Sequence, residues 1–178
     1  MKQTSQKTLF KTVLTAMLIA MQVVLERFLS YNVWNQRIGF SFLPIAFAAA
    51  FLGAPWAMIT AGVGDIIGAI LFPTGPYFPG FTLTAVLTAF CTAFFIHKNA
   101  TLPRIIASVL INQLFGTLLL NSLWISIVYG AHFKALFITR LLEAGIHVVI
   151  QILLIFLLFG QKSHVRKSLE KAIGQYIC

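Results

Sequence analysis

Long apolar blocks, cut by short polar or proline-rich breaks, set the pattern of this chain. A hydrocarbon core of about 30 Å takes roughly 20 apolar residues per helix, and that ruler divides the sequence into six spans. They cover residues 8–30, 39–53, 56–72, 81–96, 104–128 and 135–160. A polar turn holding Asn32, Asn35, Gln36 and Arg37 separates the first two, and Ala54-Pro55 splits the second from the third. The stretch Pro73-Thr74-Gly75-Pro76-Tyr77-Phe78-Pro79-Gly80 cannot continue a regular helix, because its prolines remove backbone donors and its glycines remove stiffness. Residues 97–103 and 129–134 make the other connections. The pattern predicts an all-α membrane protein, a bundle of six transmembrane helices over residues 1–160. A basic tail at 161–178 follows and could lie as an interfacial helix.

Composition narrows the class. Hydrophobic residues make up 59% of the 178 and charged residues only 10%, with a mean hydropathy of +0.91. A soluble domain usually carries about 25% charged residues, so an ordinary soluble enzyme is excluded, as is a disordered chain. The formal charge of +9 would suit nucleic acid, but no basic face with interleaved aromatics is present. Basic residues instead gather at Lys2, Lys7 and Lys11, at Lys98 and Arg104, and at Lys162, Arg166, Lys167 and Lys171. Only Arg27, Arg37, Lys134 and Arg140 fall on the opposite loops and helix ends. The positive-inside rule then puts both termini in the cytoplasm and the proline-rich loop outside, in a multi-pass plasma-membrane protein. The first apolar block is too long for a signal h-region and lacks a clear cleavage site, so it is expected to remain as a helix. Cys91 and Cys178 have no nearby partners, and neither a disulfide framework nor a Cys-rich metal site is implied.

Ionisable groups inside a membrane helix are costly unless paired or hydrated, which makes them functional candidates. Asp65 stands on the third span, about 10 Å below its outer end at 1.5 Å per residue. Arg140 and Glu143 lie one to two turns below the outer end of the sixth, and Asn121 on the fifth is at similar depth. All occupy the outer half, which predicts a polar pocket opening outward above an apolar floor. Arg140 and Glu143, spaced i, i+3, could equally neutralise each other. Gly62, Gly64 and Gly68 around Asp65 read as close helix packing. The aromatics Tyr77 and Phe78 sit on a hinged segment beside this pocket, where they could form a stacking lid or simply a membrane belt. Trp124, near Asn121, offers another stacking face. Arg37 at the outer rim could pair a carboxylate in bidentate fashion or snorkel to lipid phosphate. Ala16 and Ala20 form a small-xxx-small step that lets another helix approach, within the bundle or from another protein. No catalytic dyad, phosphate loop or metal-ligand spacing appears among the residues, so neither an enzyme nor a metal site is expected.

Arg37-Ile38-Gly39-Phe40-Ser41-Phe42-Leu43-Pro44, Gly64-Asp65-Ile66-Ile67-Gly68-Ala69 and the run from Phe72 to Ala85 resemble the substrate-binding S components of energy-coupling factor (ECF) vitamin transporters, folate-specific family. The resemblance covers roughly residues 8–160, and Ala16-Met17-Leu18-Ile19-Ala20 is similar to the family's AxxxA docking motif. It implies a six-helix bundle that captures a vitamin outside with high affinity. The bundle then works with a transmembrane coupling subunit and two cytosolic ATPases, toppling in the membrane to deliver its load. ATP and magnesium would be used by those partners, with no cofactor in this chain. For folate, Asp65 first and Glu143 second would accept the donor edge of the pterin. Tyr77, Phe78 and Trp124 would face the flat benzoyl ring, and Phe40 would be a further binding residue. Arg37 or Arg140 would pair with the anionic tail, and Thr82 and Asn121 would add neutral hydrogen bonds. Another vitamin or precursor, such as pantothenate, is the alternative ligand.

Overall fold

The structure is a computed structural model describing the backbone of residues 2–33, 36–73, 76–97, 99–130, 132–160 and 163–177. Within these, the side chains of 2–5, 31–33, 36–38, 133–136, 139, 142, 143 and 172–177 are not described. The described chain is helical apart from one small ribbon. Helix α1 spans Lys2–Arg27, and β1 (Tyr31–Val33) pairs antiparallel with β2 (Gln36–Ile38). Then come α2 (Phe42–Leu52), α3 (Ala54–Leu71), α4 (Pro79–Ile96), α5 (Leu102–Tyr129), α6 (Phe133–Phe159) and α7 (His164–Ile177). The polar turn after the first span is thus a short hairpin, which its Asn and Gln content did not announce.

Among the described residues, four helices are long and apolar enough to cross a membrane: Gln6–Arg27, Ala54–Leu71, Pro79–Ile96 and Leu102–Tyr129. Ala144–Phe159 with His164–Lys171, bent by 48°, makes a fifth if the pair is one span. The expected second span, 39–53, is reduced to six α-helical residues and five π-wound ones. At about 1.5 Å per residue that element falls well short of a hydrocarbon core of about 30 Å.

Local chemistry explains the breaks. Gly53 carries φ 94°, a conformation L side chains rarely adopt, and Pro55 lies in the first turn of α3, where its missing N–H costs nothing. The imidazole of His97 plugs this turn: its Nδ1 is 3.2 Å from the Ala49 carbonyl, and a Cβ at Gly53 would lie 3.2 Å from the ring. Pro79 likewise opens α4, and Gly130 ends α5 with φ 64°.

Helix α3 packs between α1 and α4, α5 between α4 and α6, while α7 docks on α1, α2 and α6. Small residues bring the first three together. Ala57 and Ala61 of α3 are fully buried against Ala89 and Ala93 of α4, with Leu18 of α1 in the same cluster. The glycines near Asp65 do the packing expected of them: a Cβ at Gly62 would lie 2.9 Å from Val86, and one at Gly64 2.6 Å from Gln22. A second apolar cluster, with Phe51, Ile96, Ile105, Ile155 and Phe159, closes the end of the bundle nearest the α2–α3 and α4–α5 connections. Large apolar side chains also cover the outside, including Met17, Phe94, Ile146 and Leu157 at 61–74% exposure. That outward apolar surface is what lipid, not water, would solvate.

Candidate functional site

The opposite end of the bundle holds a cavity of about 460 Å³. Its walls come from every long helix: Glu26 and Arg27 of α1, Asp65 and Ala69 of α3, Thr84 and Thr88 of α4, Thr117 and Asn121 of α5, and Arg140 and His147 of α6. Tyr77 and Phe78, from the segment before α4, cover one side. Five residues expected at a ligand site from the sequence therefore share one cavity: Asp65, Tyr77, Phe78, Asn121 and Arg140.

A chain of hydrogen bonds ties the loop to the helix wall. The Thr82 hydroxyl donates to Asp65 Oδ2 at 2.6 Å, and the Tyr77 hydroxyl is 3.0 Å from Thr82 Oγ1. Since Thr82 spends its one hydrogen on the carboxylate, Tyr77 is the donor to Thr82. Thr82 thus stands behind Asp65 as a support and does not line the cavity.

Trp124 plays a similar supporting part. Its indole N–H donates to Thr84 Oγ1 at 3.0 Å, and Thr84 in turn donates to the Gly80 carbonyl at 3.0 Å. The Phe78 ring sits 5.4 Å from the Trp124 ring and 6.2 Å from Phe81, in tilted and edge-on arrangements respectively. Gly80 is needed for this stack, because a Cβ there would lie 2.7 Å from the indole. Tyr77 and Phe78 are thus held in defined positions by α4 and α5.

Arg140 is 4% exposed and reaches the Thr117 carbonyl through Nη1 at 3.5 Å. Asn121 presents a buried Oδ1 with no hydrogen-bond partner among the described residues, an acceptor available to a ligand donor. His147 is 3.4 Å from Gln151 Nε2 and meets Phe42 edge-on at 6.2 Å between ring centroids.

The sequence reading missed Arg27 and Glu26. Arg27 looked like one more charge at a helix end, yet its guanidinium lies over Gly68, where a Cβ would be 3.1 Å from Nη2. Its side chain is 8% exposed and 3.9 Å from the Glu26 carboxylate. The signal lay in Gly68: a glycine one turn from Asp65 on the same face makes room for a large neighbour. Phe40 is 41% exposed and is not among the cavity's lining residues. The side chains of Arg37 and Glu143 lie outside the described residues.

The floor also differs from expectation. Directly below the cavity the lining mixes polar side chains, Thr88, Thr92, Asn112 and Gln113, with apolar ones such as Phe42, Ile45 and Ile155, and the wholly apolar cluster comes only beneath them. Sequence depth alone had placed the polar groups in the outer half, because hydroxyl and amide side chains break an apolar run less visibly than charges do.

A family model described as "ECF transporter, substrate-specific component" matches residues 10–159. The chain is 36% identical over 142 residues to a protein named folate transporter FolT from Clostridium novyi (strain NT), covering 79% of this chain and 83% of that one. It is 31% identical over 166 residues to a folate transporter FolT from Leuconostoc mesenteroides, covering 88% and 89% respectively. A solved structure described as FolT bound with folic acid superposes with a TM-score of 0.74 at 35% identity, covering 80% of this chain and 87% of that one.

Proposed function

As the chain belongs to the substrate-specific components of ECF transporters, we propose that its outer cavity binds folate. It is a folate-binding transport subunit of the membrane, not an enzyme. One observation carries the reading of the site: a single cavity joins carboxylates, aromatic rings and two guanidinia. Folate needs such a set, having a donor edge on its pterin, flat rings in its middle and an anionic glutamate tail. Asp65 accepts the amino group and ring N–H of the pterin. Tyr77 and Phe78 lie along the flat portion, and Arg140 and Arg27 attract the tail, with Arg37 and Glu143 as further candidates. Charge-assisted hydrogen bonds contribute roughly 1.5–3 kcal/mol each, so several of them with stacking suffice for nanomolar binding. Titration calorimetry of folate against wild type and Asp65→Asn in detergent tests this. Equal affinity for the two removes Asp65 from the site.

Membership of the family supports a transport cycle of the following kind. The chain crosses the membrane six times with both ends in the cytoplasm, the second crossing running from the β1–β2 hairpin through the short α2. It docks on a transmembrane coupling subunit whose two partner ATPases use ATP and magnesium. The exposure of Ala16 and Ala20, flanked by exposed Val13, Met17 and Met21 on α1, supports this docking face. Closure of the Tyr77–Phe78 segment over folate hides the polar groups that would otherwise oppose rotation of the bundle in lipid.

A further inference from the structure

Below the ligand cavity lies a second, partly open chamber of about 130 Å³, walled by α2, α4, α5 and α6. Its lining joins polar side chains, Thr92, Ser108, Asn112, Gln113 and Gln151, to apolar ones such as Phe42, Ile45 and Ile155. Some of these groups satisfy one another: Asn112 Nδ2 donates to Thr92 Oγ1 at 2.7 Å, and Thr92 donates to the Thr88 carbonyl at 2.8 Å. Two do not. Ser108 and Gln113 are 1% and 4% exposed, and Ser108 Oγ and Gln113 Nε2 have no hydrogen-bond partner among the described residues. Buried polar groups are almost always paired, with protein or with ordered water.

We infer that this chamber is a water-binding site, holding a cluster of about four ordered waters at roughly 30 Å³ each. A cation fits poorly: no carboxylate is among the lining residues, and the Arg140 guanidinium binds the Thr117 carbonyl at the chamber's rim. An apolar occupant would leave Ser108 and Gln113 unpaired. Thr88 and Thr117 line both this chamber and the ligand cavity, so the waters reach the underside of whatever sits above. Beneath, the apolar cluster of Ile96, Ile105 and Phe159 keeps them from the other face of the membrane. Folate therefore rests on a hydrated floor, and the water cluster supplies part of its hydrogen bonding. The hydration site stands apart from the folate reading, and only the effect on affinity rests on it.

The test uses the full chain in lipid nanodiscs, with and without folate. Millisecond X-ray hydroxyl-radical labelling oxidises buried side chains that touch bound water. Val109 and Ile155, 2% and 4% exposed and both on the chamber wall, should label in wild type. That labelling should fall at least threefold in Ser108→Val/Gln113→Leu. Absence of labelling at both positions, while accessible residues of the soluble loops are oxidised, overturns the site. So does a xenon-pressurised crystal in which the gas occupies the chamber, since dry apolar cavities take xenon. If the double variant does not fold, Ser108→Ala provides the same readout. A three- to tenfold weaker folate affinity in a folded variant supports the hydrated floor. Unchanged affinity with lost labelling keeps the waters but removes their part in binding, and folate binding by wild type checks the folate reading separately.

Discussion

At the scale of single residues, the site is built from charges that the bundle spends effort to hold. Replacing Asp65 by Asn removes the anion but keeps the shape, and folate affinity should fall about 10- to 100-fold, as loss of a charge-assisted bond worth roughly 1.5–3 kcal/mol requires. Calorimetry on the folded variant reads it directly. Arg27→Gln makes a sharper prediction. If Arg27 attracts the glutamate tail, the variant should lose about tenfold or more toward folate yet bind a folate analogue whose two tail carboxylates are converted to amides as wild type does. Equal loss for both ligands would assign Arg27 to structure. Asp65 was legible because a lone carboxylate in an apolar run has few other uses. Arg27 was not, because a cation at a helix end next to a polar turn looks the same whether it points to solvent or folds back over Gly68.

The elements were easier to read than their winding. Apolar blocks and prolines gave the long helices to within a few residues, since a lipid-exposed helix announces itself by composition alone. The π-wound turns at Ala48–Leu52 and Asn112–Asn121 left no such mark, as extra residues in a turn arise from packing and from the cavities beside them. The hairpin Tyr31–Ile38 was hidden because each strand has three residues and no alternation to detect. The α2–α3 turn offers a test at this scale. Gly53→Ala would force an L side chain to φ 94° and set its Cβ 3.2 Å from the His97 ring. We expect a loss of about 1–3 kcal/mol, seen as a lower unfolding temperature in detergent, with folate affinity nearly unchanged in the folded fraction because the turn lies at the far end from the cavity.

For the whole molecule, the distribution of chemistry explains why class was legible and floor was not. Charge placement and hydropathy fix a membrane protein from composition, and one carboxylate on α3 points to the cavity. The polar chamber beneath depends on Thr, Ser, Asn and Gln side chains from three helices converging, which no single stretch of sequence displays. The outer face of α1 carries the prediction for assembly. Ala16→Trp or Ala20→Trp should abolish folate uptake in cells expressing the complete transporter while leaving folate binding by the purified subunit within about twofold. Both residues are exposed, so joint loss of uptake and binding would instead mean that the face packs within the bundle.

Asp65 also ends the chain of hydroxyls that pins Tyr77, with Thr82 engaging Oδ2. A ligand that binds Asp65 as proposed would therefore compete with the hydroxyl chain for one anion, and its arrival would change the hold on Tyr77 in the same act. Discrimination then extends to dwell time: a compound of the right outline but without a donor for Asp65 would enter freely and escape just as quickly.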